Sequence, residues 1–183
     1  MEQPAETPQS APAKKKALPA QPVSVPIKTI TGLPELFANG LKEMYWAENH
    51  LVKSIPKIIN AAGSAQLKQA LTNHQQVTKQ HAVQLENAIK LLDENIEAKR
   101  CDACKGLVMS GEHVIENTFL NTEARDFGII ISALKVENFE ISSYTGLIKL
   151  AQTLGKNEVA DLLQKNLTDE TETANQLIAL SKR

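Results

Sequence analysis

Glu137 and Glu140 fall within residues 129–154, where the spacing of Ile130, Leu134, Ile141, Tyr144, Ile148 and Ala151 marks the buried face of a helix. Glu137 lies in that stripe and Glu140 on its flank. A carboxylate held there must take a proton at a raised pKa, pair with a basic group, or bind a cation. Three other helical patterns carry the same interruption at mid-length. Residues 36–61 read Phe37, Leu41, Tyr45, Glu48, Val52, Ile55 and Ile59, and residues 65–92 read Leu67, Leu71, His74, Thr78, His81, Leu85, Ala88 and Leu92. Residues 158–180 read Val159, Leu163, Asn166, Glu170, Thr173, Leu177 and Leu180. The stripes that supply the carboxylates contain no Lys or Arg, which leaves imidazoles as the basic groups at hand.

The elements that must position these groups follow from their heights along the helices. Glu48 is 13 residues before Ala61 and His74 is 10 after Ser64, while Glu140 is 14 before Leu154 and Glu170 is 13 after Asn157. At about 1.5 Å per residue, each antiparallel pair brings its polar residues level to within a turn. Breaks at Gly63-Ser64 and at Gly155 with Lys156-Asn157 make the two hairpin loops short. A connection of roughly 30 residues joins the hairpins and carries a short helix near residues 104–117. The expected fold is all-α, a ferritin-like four-helix bundle with one long crossover carrying a short extra helix. Pro56 cannot donate to the Val52 carbonyl and should bend the first helix.

One layer of such a bundle holds Glu48, His74, Glu137, Glu140 and Glu170. Carboxylates left ionised in a low-dielectric interior each carry a desolvation cost of several kcal/mol and repel one another. Two divalent cations would balance about four negative charges, and a Glu-rich donor set with imidazole favours Fe or Mn over structural Zn. The expected cofactor is therefore one or two Fe or Mn ions, with no separate catalytic side chain and no organic cofactor indicated. The competing reading is a hydrated polar layer, or carboxylates turned to solvent by helix rotation.

Composition sets the frame around this layer. The chain has 183 residues, 42% hydrophobic, 4% aromatic and 22% charged, which suits one helical domain of ordinary size. A net charge of −1 gives no bulk attraction to nucleic acid or an anionic membrane. No run of about 18 apolar residues and no apolar secretory segment occurs, so a cytoplasmic protein without a membrane partner is expected. Six of the eight prolines lie in residues 1–26, together with Lys14-Lys15-Lys16. Residues 1–31 read as a disordered tail and 32–183 as the bundle domain. The tail serves as a solubilising tether or as a weak, salt-sensitive contact to nucleic acid.

The segments Tyr45-Trp46-Ala47-Glu48-Asn49-His50-Leu51, Ile55-Pro56-Lys57, Lys135-Val136-Glu137-Asn138-Phe139-Glu140-Ile141-Ser142-Ser143-Tyr144 and Leu154-Gly155 resemble the YciE/YciF family of bacterial ferritin-like stress proteins. His74, Thr78, Leu85, Cys101, Gly106-Leu107 and the Leu162-Leu163…Leu167…Glu170 pattern extend the likeness from about residue 36 to 180. The resemblance implies a four-helix bundle with an added short helix, often a homodimer, linked to stress responses and carrying a di-iron-type centre. It also exposes departures. A full ferritin-like set has Glu-x-x-His on helices two and four, but Leu71 precedes His74 by three and Thr173 follows Glu170 by three. Val77, Ser110 and Ala174 stand where relatives commonly carry acidic residues. One metal position is therefore weakened unless His81, one heptad after His74, compensates.

His81, Thr78 and Tyr144 are candidates for a supporting shell, against ordinary core packing with satisfied polar groups. Tyr45 and Tyr144 are both expected beside the layer, and His50 points about 200° away from Glu48 around its helix and is excluded. Cys101-x-x-Cys104 reads as a reduced thiol pair, with a small disulfide or half a zinc site as the alternative. Two functions follow: a two-metal carboxylate protein that reacts with oxygen or peroxide, or a non-catalytic helical stress protein whose degenerate polar layer fixes helix register.

Overall fold

Five helices and no strand form among residues 29–181, the part of the chain that the computed structural model describes. The expectations of a disordered tail and of a nucleic-acid contact attach mainly to residues 1–28, which lie outside the described residues. Helix α1 (Leu33–Ala61) carries Pro34 in its first turn, where a missing N–H has no intrahelical acceptor to lose. It ends at the Gly63-Ser64 turn, and the Ser64 hydroxyl caps α2 (Ala65–Lys90) by accepting the Leu67 N–H at 3.2 Å. The N–H groups of Gly63 and Ser64 donate to the Asp126 carboxylate at 2.6 and 2.8 Å, which pins this turn to the first turn of α4 (Glu123–Thr153).

Thr122 caps α4 by accepting the Arg125 N–H, so α4 begins earlier than its apolar spacing indicates. It stops at Gly155, whose φ of +68° is the left-handed conformation that glycine adopts without strain. Helix α5 (Asn157–Leu180) returns along it, and the crossover over residues 91–122 contains α3 (Asp102–Glu116).

Helices α1 and α2 form one hairpin and α4 and α5 the other; α2 lies beside α5, α1 beside α4, and α3 packs on α4 and α1. This is the ferritin-like bundle with one long crossover. Pro56 sits inside α1, and the Val52 carbonyl that it leaves without a donor accepts Gln75 Nε2 from α2 at 3.0 Å. The proline thus creates a polar tie between the first two helices.

Two apolar clusters fill the ends of the bundle. One gathers Phe37, Leu41, Leu85, Ile89 and Leu163; the other gathers Leu67, Leu71, Ile129, Ile130 and Leu177. Each such side chain, fully buried, contributes about 1.5–3 kcal/mol. A third cluster under α3 joins Ala47, Leu51, Ile55, Cys104 and Val136.

The expected α1 stripe holds at Phe37, Leu41, Glu48 and Ile55, but Met44 and Leu51 rather than Tyr45 and Val52 enter the core. Tyr45 lies half-buried and donates its hydroxyl to Glu86 on α2 at 2.7 Å, which takes it out of the polar layer. The α4 face is wider than one stripe, since α3 covers it from a second side; Ser132, Val136 and Glu140 are buried as well as Glu137.

Candidate metal centre

Between the two end clusters lies a slab of buried polar residues: Glu48 from α1, His74, Thr78 and His81 from α2, Glu137, Glu140 and Tyr144 from α4, and Asn166 and Glu170 from α5. All five residues expected as ligands are there. Glu137 and Glu140 are one helical turn apart on α4, and His74 and His81 are two turns apart on α2, so each helix aims two groups inward.

The donor atoms fall into two groups. His74, Glu137, Glu140 and Glu170 each offer an atom within 4.8 Å of the others, and so do Glu48, His81 and Glu170. Glu170 belongs to both. His74 Nε2 lies 3.2 Å from Glu137 Oε1, and His81 Nδ1 lies 2.8 Å from Glu170 Oε1 and 3.5 Å from Glu48 Oε1. Despite these approaches, both oxygens of Glu137, Glu140 and Glu170 and one of Glu48 lack an aligned hydrogen bond, as do His74 Nδ1 and His81 Nδ1. Buried polar atoms in such number normally have partners.

The electrostatics differ from group to group. Burial pushes Glu137 and Glu140 well above the usual carboxylate range, and the charges of Glu170 and Glu48 push the same way. Glu48 is raised to about 7, again mainly by burial, with His81 opposing. Burial would lower His81, but Glu170 and Glu48 outweigh it and raise the ring to about 10. For Glu170 burial acts upward, yet His81 and then His74 hold it below its ordinary value. His74 is lowered, chiefly by burial. Without a metal, then, Glu170 and Glu48 favour the imidazolium form of His81, whereas burial and the neighbouring carboxylates favour the protonated forms of Glu137 and Glu140.

Outer contacts are confined to the Glu48 and His81 side. Tyr144 donates its hydroxyl to Glu48 Oε1 in a short hydrogen bond and accepts Asn166 Nδ2 at 3.0 Å. His81 Nε2 lies 3.2 Å from Asp169 Oδ2. Thr78 is buried between the two histidines, but its hydroxyl donates to the His74 carbonyl at 2.9 Å. Asn166 and Asp169 were not singled out by sequence; Asn166 falls in the buried stripe of α5, which was the available signal.

On the other side, His74 forms part of the wall of a cavity of about 60 Å³ lined by Leu51, Ile55, Leu71, Val108, Ile129 and Val136. Leu71 is the residue that leaves Glu-x-x-His incomplete on α2, and it makes this wall apolar. Thr173, its counterpart on α5, is half-buried and donates its hydroxyl to the Asp169 carbonyl. His50 stacks on Trp46 with ring centroids 4.6 Å apart, outside the layer.

No Lys takes part in the layer among the described residues, and the buried guanidinium, Arg125, is turned to the Ile115 and Thr118 carbonyls. The donor set therefore fits divalent cations: four carboxylates and two imidazoles, converging in two groups with no fixed positive charge beyond His81. Cys101 and Cys104 are free thiols, both buried. Burial pushes Cys104 up to about 12, with the charges of Cys101 and Glu48 adding.

Comparison with known proteins agrees with this architecture. The family described as a domain of unknown function, DUF892, matches residues 32–183. The chain belongs to that family. It is 33% identical over 151 residues to protein YciF of Escherichia coli K12, covering 81% of this chain and 90% of the relative. The crystal structure of the E. coli stress protein YciF superposes with a TM-score of 0.79 at 32% identity, covering 82% of this chain and 95% of that one. YcfI from Rhodopseudomonas palustris gives 0.80 at 29% identity, with 82% and 96% covered. The YciE/YciF resemblance seen in the sequence is thus a family relationship. No helix among the described residues is long and apolar enough to cross a membrane.

Proposed function

We propose that this DUF892 protein is a stress-associated two-metal carboxylate protein that holds Fe or Mn in its bundle core and reacts there with oxygen or peroxide. The observation that carries the reading is the pair of ligand groups sharing Glu170. His74, Glu137 and Glu140 would complete one position, Glu48 and His81 the other, and Glu170 would bridge. Such a pair supplies Lewis acidity and electrons for oxygen or peroxide chemistry.

The protein's own groups do the rest. Tyr144 holds Glu48 in place by donating to it, Asp169 orients the His81 ring, and Leu71 with its neighbours makes one wall beside His74 apolar, while Asn73, Asp169, Glu172 and Thr173 line a polar pocket on its other side. His81 replaces the carboxylate-histidine pairing that Leu71 and Thr173 leave incomplete. The name of the relative YciF as a stress protein supports the physiological part of the reading. A cytoplasmic homodimer, and a salt-sensitive nucleic-acid contact through residues 1–31, belong to the same proposal; sedimentation and deletion of the tail test them.

Elemental analysis of protein purified without chelators, followed by Fe and Mn titration, tests the centre. Two ions per chain are expected; no metal bound and none taken up would end the proposal. The incomplete pairs at Leu71 and Thr173 favour, as a second reading, a non-catalytic stress or interaction protein whose polar layer fixes helix register. Unaltered stress phenotype and assembly on changing Glu137 and Glu140 to Gln would select that one.

A further inference from the structure

Cys101 and Cys104 lie against the layer, yet the two-metal reading gives them no task. Cys101 is the N-cap of α3, and its sulfur accepts the Cys104 N–H at 3.5 Å. The first sulfur thus lies beside the backbone that bears the second, in the Cys-x-x-Cys spacing that a small disulfide can bridge. The two thiols look to different sides. Cys104 is fully buried and packs with Ala47 and Val136, the sequence neighbours of Glu48 and Glu137. Cys101 forms part of the wall of a surface groove between α1 and α4, beside Met44, Phe139 and Leu147. The motif therefore lies between the carboxylate layer and the groove, with Cys101, 7% exposed, on the groove side.

We propose that Cys101 and Cys104 are a dithiol–disulfide couple that gives two electrons to peroxide at the carboxylate layer and is restored through the groove by an external thiol. This rests on the two-metal reading and names the electron source that peroxide reduction there requires. In the oxidation, the O–O bond of hydrogen peroxide and two S–H bonds break, and one S–S bond and two O–H bonds form. The sulfurs lose two electrons, and the peroxide oxygens and the two thiol protons leave as two waters. In the return step two external thiols exchange with the disulfide, beginning at Cys101, and depart as their own disulfide.

The test uses the full chain, reduced anaerobically, in metal-free and Fe- or Mn-loaded forms whose metal content is measured. One equivalent of hydrogen peroxide is added, free thiols are counted and peptides are mapped by mass spectrometry. Loaded protein should lose both thiols to a Cys101–Cys104 disulfide at least about tenfold faster than metal-free protein, and dithiothreitol should restore them. Cys104→Ala, which buries no new polar group, should keep its metal and its Cys101 thiol. Metal bound with thiols that stay reduced, oxidise equally fast without metal, or end as sulfinic acid or interchain bridges would reject the couple while leaving the metal centre standing. Failure to take up metal would reject the centre, and the couple with it.

Discussion

The two halves of the polar layer share Glu170 and differ in almost everything else. Glu48 and His81 are braced from outside by Tyr144, Asn166 and Asp169, and the imidazolium of His81 offsets carboxylate charge before any metal arrives. His74, Glu137 and Glu140 have no such bracing; their oxygens lack aligned partners and the wall beside His74 is an apolar cavity. The first half is organised and self-compensated, whereas the second is kept neutral only by protons. The Glu48 and His81 position is therefore the better ordered before metal arrives, and an ion there must displace the His81 proton.

Substitutions should separate the halves. Glu170→Gln should have the largest effect, since it touches both groups: metal titration should fall from two ions per chain to none. Retention of both ions would show that Glu170 does not bridge. Glu137→Met with Glu140→Met should remove one ion and leave the Glu48 and His81 position filled. In metal-free protein the same double change should raise stability by about 1–4 kcal/mol, because apolar groups of similar volume replace buried carboxyls. Chemical denaturation checks this, and a loss of stability would mean that the acids pack or pair better than described.

Tyr144→Phe should act on the other half alone. It removes the donor to Glu48 and should weaken that ion by about 10–100-fold, the usual effect of an outer partner, with the His74 position unchanged.

The same groups set a pH dependence. Glu137, Glu140 and Glu48 have raised folded-state values, so the folded state binds more protons than the unfolded chain once pH passes the ordinary carboxylate value of 4.5. Stability of the metal-free protein should fall as pH rises from there through about 7, the folded value of Glu48. His81 adds to the fall above its unfolded value of 6.5, up to about 10. Glu170, with its lowered value, acts oppositely, and its loss occurs as pH drops below 4.5. Metal uptake near neutral pH should release protons from the raised groups Glu137, Glu140, Glu48 and His81, read by calorimetry in buffers of different ionisation enthalpy.

Much of this layer was legible in the sequence. The three-and-four periodicity of α2 gives its buried residues from Leu67 to Ala88 except Ala82, and matching heights across the short loops brings Glu48, His74, Glu140 and Glu170 level. What escaped depends on the crossover. Periodicity treats a helix as having one buried face, so Glu140 was placed on a flank until α3 covered that side of α4. Met44 takes the core position in place of Tyr45, whose phenol is drawn to Glu86 on α2, a partner on another helix. His81 carried a signal in its heptad spacing from His74, yet its role depends on Glu48 and Glu170, which come from two other helices. Asp169 is adjacent to Glu170 and partly exposed, and nothing in a single helix's pattern marks it as the partner of a buried imidazole.

The central claim is that these carboxylates converge on metal. Crystals of the full chain grown with Fe or Mn, measured at both absorption edges, test it most directly. Two anomalous peaks about 3.5–4 Å apart in the bundle core, both in contact with Glu170, are expected. An empty layer at saturating metal, with Glu137 and Glu140 hydrogen-bonded to each other or to ordered water, would contradict it.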